Sequence, residues 1–136
     1  MDSISKMMRI FCLLFLVLQL TGIVTAIPFF PTKVSVEITN KLSRKDLHLH
    51  CKDKHNDLGI VELKVNETYS FRFYPQFFFP STLYFCHFTW LYGDHRFDIY
   101  VEYRDLYCIH NLCSWEILEN GPCKIKKSGK RECFAW

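Results

Sequence analysis

The sequence is poor in chain breakers: its 136 residues include only five glycines and five prolines. That excludes long flexible linkers and low-complexity tracts built on those residues. No segment repeats at a fixed period, which excludes solenoids and propellers. Charge of one sign is also scarce, with 17 basic against 14 acidic side chains and a formal net charge of +3. That is too little for the electrostatic footprint of a nucleic-acid-binding surface. There is no nucleophile elbow, no phosphate-cradling glycine loop and no paired-carboxylate motif. No C-x2-C pair or H-x3-H segment occurs at zinc-finger spacing, so no metal is expected. Asp53, Asn56 and Asp57 lack the glycine and bidentate glutamate of a calcium loop and read as a solvated turn. No cofactor is expected either.

What is present is apolar and aromatic. Hydrophobic residues make up 49% and charged residues 23%, which rules out a disordered chain. Aromatics reach 17%, with 13 phenylalanines, and such side chains fit the pleated surface of a sheet. The length suits a single domain. At the N-terminus, Lys6 and Arg9 precede an apolar run from Ile10 to Leu18, and Val24-Thr25-Ala26 offers small residues at a signal-peptidase site. Those three features define a secretory signal peptide over residues 1–26. Gln19, Thr21, Gly22 and Thr25 dilute the second half of the run, which argues against a membrane anchor needing about 20 apolar residues. Cleavage leaves a secreted domain over residues 27–136 with no stable membrane insertion. Cys12 departs with the leader. The six cysteines that remain, Cys51, Cys86, Cys108, Cys113, Cys123 and Cys133, are an even set on an oxidising route and read as paired disulfides, with the pairing open.

Along the mature chain, apolar residues alternate with polar ones at strand period. Val34, Val36 and Ile38 open the pattern, which ends at Asn40. Leu47, Leu49 and Cys51 follow, then Ile60 to Leu63, then Tyr69, Phe71 and Phe73. Leu83 to Trp90 is apolar on both faces and reads as a central strand. Phe97, Ile99 and Val101, then Trp115 to Leu118, then Cys123 to Lys126 complete about eight short strands. Spacing by turn signals predicts an all-β sandwich or barrel. Only Tyr103 to Leu112 has room for a helical turn.

Few residues invite chemistry. His48 and His50 share the polar face of a strand, with Lys52 beside them, and could be written as a ribonuclease-like pair. General acid–base work needs positioned partners that the sequence does not single out, so no enzyme is predicted. Lys124, Lys126, Lys127, Lys130 and Arg131 surround the turn Ser128-Gly129 and could meet an acidic receptor loop. Phe77, Phe78 and Phe79 stand in a loop between Pro75 and Pro80, where at least one ring is expected at the surface as a binding anchor. Asn66-Glu67-Thr68 is a glycosylation acceptor between two strands.

The order of several short motifs resembles one family. His50-Cys51-Lys52, Asp57-Leu58-Gly59, Phe71-x-Phe73, Thr82-Leu83-Tyr84-Phe85-Cys86 and Trp90 are followed by Phe97-Asp98-Ile99-Tyr100, Arg104-Asp105 and Cys108. Cys113-x-Trp115-x-Ile117, Gly121-Pro122-Cys123 and Cys133-x-x-Trp136 complete the set. Together they resemble the plant self-incompatibility S-proteins and their homologues over about Val34 to Trp136. The resemblance implies a small secreted β-sandwich of antiparallel strands held by disulfides, without catalytic residues. It also implies a ligand role, since the founding members look like pistil-secreted proteins read by a membrane protein on pollen. His55 and Asn56 interrupt the usual acidic run before Leu58-Gly59. Phe77 to Pro80 replaces a loop that usually holds Asn and Gly, and Cys108 and Cys113 stand further apart than the pattern. The expected function is a monomeric, secreted ligand for a cell-surface receptor in plant reproduction or development. A secreted defence or toxin-like protein is the alternative, and a small hydrolase using His48 and His50 the third reading.

Overall fold

The computed structural model describes residues 2–20, 32–76, 81–106 and 108–136, in two units, residues 1–30 and 31–136. In the first, α1 (Asp2–Leu20) is a single helix with no buried residue. It is long and apolar enough to cross a membrane by length and composition, a test that signal sequences also pass. The expected cleavage site at Val24 to Ala26 lies outside the described residues.

The second unit is built from two sheets. β1 (Val34–Asn40), β4 (Thr68–Phe73), β7 (Leu112–Leu118), β8 (Gly121–Ile125) and β9 (Arg131–Cys133) form one, in the order β4-β1-β7-β8-β9. β2 (Leu47–Lys52), β3 (Asp57–Leu63), β5 (Leu83–Trp90) and β6 (Gly93–Val101) form the other, in the order β3-β2-β5-β6. A four-residue helical turn, α2 (Glu102–Asp105), follows β6. The fold is all-β, and of the two architectures compatible with the strand spacing it is the sandwich.

Period-two patterning drives this arrangement. In β1, Val34, Val36, Ile38 and Asn40 are buried while the residues between them are partly exposed. β7 repeats the pattern with Cys113, Trp115 and Ile117 inward. From the other sheet come Leu47, Leu49 and Cys51 of β2, and Tyr84, Cys86 and Phe88 of β5. Full burial of each such aliphatic or aromatic side chain stabilises the fold by roughly 1.5–3 kcal/mol. Aromatic pairs cross between the sheets: Phe73 against Tyr84 and Tyr100, at 4.6 and 4.7 Å between centroids, and Phe97 against Trp115 at 5.3 Å.

The structure departs from the sequence reading in three places. The described residues hold nine strands rather than about eight. β9 went unread because its three residues are all exposed and carry no alternation. One pair is parallel, β1 with β7 (Ser35 opposite Leu112 through Asn40 opposite Ile117), in an otherwise antiparallel molecule. β5 is central, between β2 and β6, but Phe85, His87 and Thr89 on its outer face stay partly exposed.

The three disulfides join Cys51 to Cys86, Cys108 to Cys113 and Cys123 to Cys133. Cys51–Cys86 links register partners on β2 and β5, and Cys123–Cys133 links register partners on β8 and β9. Cys108–Cys113 ties the turn before β7 to that strand. None of them crosses between the sheets. The join is made by packing and by Asn40, fully buried at the end of β1. Its amide donates to the carbonyl of Lys45 in the β1–β2 loop and to that of Leu63 on the other sheet, and its Oδ1 accepts from the Leu42 amide.

Candidate functional site

Because β1 and β7 run in parallel, the connections sort cleanly onto two ends. One end, where β1 finishes, carries the β1–β2 loop, the β3–β4 turn and the β5–β6 and β7–β8 turns. The other carries the β2–β3 turn, the segment after β4, α2 and the β8–β9 hairpin. The basic hairpin and residues 75–76 and 81–82, the described flanks of the phenylalanine segment, therefore share an end. The three phenylalanines themselves lie outside the described residues.

Their flanks are ordered by hydrogen bonds. The Gln76 amide donates to Thr82 Oγ1 at 2.9 Å, and Ser81 Oγ donates to Gln76 Oε1 at 2.8 Å. Beside these residues a cavity of about 610 Å³ opens toward the β2–β3 turn, with Asp53, His55, Tyr74 and Tyr84 in its wall. Burial pushes the Asp53 carboxyl up, but the amides of His55 and Asn56 hold it, on balance, below the ordinary value. Burial, then the neighbouring Asp53 charge, pushes the Tyr84 phenol up to about 12.

The basic hairpin is less free than its sequence implies. Lys124 turns inward and places Nζ 2.6 Å from Asp105, whose side chain is fully buried. Arg131 makes a two-pronged bond to Glu116, at 2.8 and 3.2 Å, and Lys126 lies 3.4 Å from Glu132. Lys127 and Lys130 remain exposed, with no ion pair among the described residues. They flank a turn closed by Lys126 and Lys130, in which Gly129 takes a φ of +81° that a side chain would strain. Cys123–Cys133 locks the hairpin's far end.

Asp105 anchors the adjoining corner. It accepts from the Val101 amide, from Arg104 and from Lys124. The Arg104 guanidinium in turn lies over the rings of Trp115, Phe97 and Phe134, 5.0–5.6 Å from their centroids. Next to it Glu102 is 2% exposed, and its Oε2 has no hydrogen-bond partner among the described residues.

His48 and His50 do share the outer face of β2, but each goes to its own acid: His48 Nε2 lies 3.7 Å from Glu62, and His50 Nε2 2.6 Å from Asp57. The register partner of His50 is His87 of β5, itself 2.6 Å from Asp94. The sequence held a signal for this pairing. His50 precedes Cys51 and His87 follows Cys86, so an antiparallel Cys51–Cys86 pair places the two histidines opposite each other. No group of three or more metal-ligating side chains occurs among the described residues.

Asn66 lies exposed in the β3–β4 turn with φ +68°. Lys41 Nζ donates to its Oδ1 at 2.9 Å, and its Nδ2 makes no hydrogen bond among the described residues.

These features define a small disulfide-stapled sandwich that carries its distinctive side chains on loops and on one open sheet face. Comparison with known proteins makes the class specific. Residues 35–136 match the family described as plant self-incompatibility protein S1. The chain is 44% identical over 115 residues to S-protein homolog 2 of Arabidopsis thaliana, covering 79% of this chain and 71% of that protein. It is 39% identical over 127 residues to S-protein homolog 5 of the same plant, covering 93% and 95%. S-protein homolog 19 matches at 40% over 104 residues, 76% of each chain. The chain belongs to the plant self-incompatibility S-protein family.

Proposed function

We propose that the chain loses residues 1–26, is secreted as residues 27–136, and acts as a monomeric protein ligand for a cell-surface receptor in plant reproductive or developmental signalling. The observation that carries this reading is the disulfide-stapled hairpin, which presents Lys127 and Lys130 exposed and with no ion pair among the described residues. Binding residues fall preferentially on loops held by a rigid scaffold. Membership of the self-incompatibility family supports the same role. In it, the phenylalanines supply an apolar anchor, while the exposed lysines, with Lys126 and Arg131 at the base of the turn, steer the approach to an acidic partner.

The division of labour has a measurable signature. Truncating an anchor costs about 2 kcal/mol or more of binding energy, whereas rim charges mainly change the on-rate and its salt dependence. Binding of secreted protein to target cells should therefore weaken through faster dissociation in Phe78→Ala with Phe79→Ala. In Lys127→Glu with Lys130→Glu it should weaken through slower, less salt-sensitive association. If both double variants unfold normally and bind as the parent does, the receptor surface lies elsewhere. Intact mass of the secreted protein checks the leader: the chain should begin at Ile27, and a product still carrying residues 1–26 refutes the processing.

A further inference from the structure

The outer face of the β3-β2-β5-β6 sheet carries a constellation that the receptor reading does not use. His50, His87 and Arg96 are successive register partners across β2, β5 and β6, and Lys52 and Phe85 are partners in the adjoining row. These five side chains line one depression of about 370 Å³. Ligand pockets begin at about 300 Å³, so the space suits one ring-sized molecule and is far larger than a bare inorganic anion. Phe85 is half-buried and offers an apolar wall, with Lys52 Nζ 5.7 Å from its centroid.

Two fixed cations, Lys52 and Arg96, face this space. The two imidazoles beside them are each tied through Nε2 to a carboxylate, His50 to Asp57 and His87 to Asp94, which leaves Nδ1 as the ring nitrogen that can meet a ligand. The Gly59 amide and then His50 hold the Asp57 carboxyl below its ordinary value, and His87 does the same for Asp94. Both acids thus stay ionised beside the rings. The remaining titratable groups on the face are Asp98, opposite Phe85 in register, and the His48–Glu62 pair one row away, where Glu62 also meets Lys64.

The combination selects a ligand class. Adjacent fixed cations disfavour a metal ion. A nucleic-acid strand wants a cationic track with several stacking rings, and here there is one ring and a rim of carboxylates. An apolar wall, carboxylates able to accept hydroxyl protons, and a guanidinium whose fork matches a carboxylate describe the faces of an acidic sugar. We propose that this depression binds a carboxylated sugar unit of an acidic saccharide. Arg96 and Lys52 hold the carboxylate, Phe85 packs against the C–H face of the ring, and His50 and His87 offer Nδ1 to its hydroxyls. The site goes beyond the receptor reading and lies on a sheet face rather than at the hairpin end.

Calorimetric titration of the secreted protein with a tetramer of galacturonic acid tests this. Saturable binding is expected at low ionic strength, and it should weaken as added salt screens the two cations. Arg96→Gln and His87→Asn should each lower affinity about tenfold without moving the melting temperature, and Lys127→Glu on the distant hairpin should leave it intact. Equal binding of the fully methyl-esterified tetramer would show that charge is not read, and would overturn the proposal. So would tighter binding of a sulfated oligosaccharide or an acidic peptide, affinity that ignores salt, or no saturable binding at all.

Discussion

Two neighbouring acids, Asp105 and Glu102, show how differently burial acts on one type of group. Asp105 has a completely buried side chain, but every polar demand is met, by Val101, Arg104 and Lys124. Removing one partner of a buried ion pair costs about 3–5 kcal/mol, because the charge left behind is desolvated and alone. Lys124 and Arg104 keep 14% and 27% of their side-chain exposure, so water relieves part of that. Asp105→Ala should lower unfolding stability by about 3 kcal/mol in urea titration, and a change below about 0.5 kcal/mol, the scale of ordinary surface substitutions, would place the corner outside the stabilising network. Glu102 is the opposite case. Burial raises its pKa against the lowering effect of hydrogen bonds from Thr82, so the folded state holds its proton more tightly than the unfolded chain does. Its contribution is complete below the ordinary glutamate value and is lost as pH rises through the higher, folded one. Glu102→Gln should therefore melt higher than the parent at neutral pH, with the gain fading toward pH 4. A difference that is constant across the range would contradict this. The sequence marked the Arg104-Asp105 pair as a family motif, but nothing in it separated the satisfied acid from the stranded one. That distinction depends on Lys124, 19 residues away.

At the scale of elements, the staples should be unequal. In the chain-entropy view, a bridge stabilises more when it closes a longer loop. Cys51–Cys86 spans 35 residues, Cys123–Cys133 spans 10 and Cys108–Cys113 only 5. Those lengths correspond to about 4, 3 and 2 kcal/mol respectively. Paired Cys→Ala variants should lose stability in that order, by guanidinium unfolding of the secreted protein. The first variant should lose more than its loop term, since Cys51 and Cys86 are both fully buried and their removal also opens a cavity. The reverse order would mean that native-state packing, not loop closure, governs the bridges. Element existence was largely legible: β1 and β2 follow directly from alternation and β5 from its continuous apolar run, and their bounds match the sequence reading. Less legible were the starts of β6 and β7, where charged and small residues (Gly93 to Arg96) or a cysteine turn (Leu112 to Ser114) interrupt the apolar pattern. The parallel β1–β7 pairing was not legible at all, because partners such as Val36 and Cys113 lie far apart in sequence and meet only in the folded sandwich. The outer-face row of His50, His87 and Arg96 went unseen for the same reason, since it exists only once three strands are in register.

Across the whole molecule, strand direction separates functions that the linear sequence interleaves. Asn66 sits in the β3–β4 turn, at the end where β1 finishes, while the β8–β9 hairpin lies where β1 begins. A strand the length of β1, 7 residues, spans about 20 Å at the usual rise per residue. A glycan on Asn66 would thus project from the pole opposite Lys127 and Lys130. The local geometry suits modification, because Lys41 engages Oδ1 and leaves Nδ2, the atom that carries an N-linked sugar, exposed and free of hydrogen bonds among the described residues. Thr68 supplies the hydroxyl of the acceptor and shares a 2.7 Å hydrogen bond with Thr39 across the β1–β4 ladder, which fixes the turn's exit. Two consequences follow from this placement together. Enzymatic removal of the glycan, or Asn66→Gln, should reduce the intact mass of the secreted protein by the weight of one glycan. The same treatment should leave cell-surface binding through the far pole within about twofold of the parent, well inside the roughly tenfold change that 1.4 kcal/mol represents. Loss of cell binding on deglycosylation, with the melting curve unchanged, would move recognition to the Asn66 pole and away from the basic hairpin.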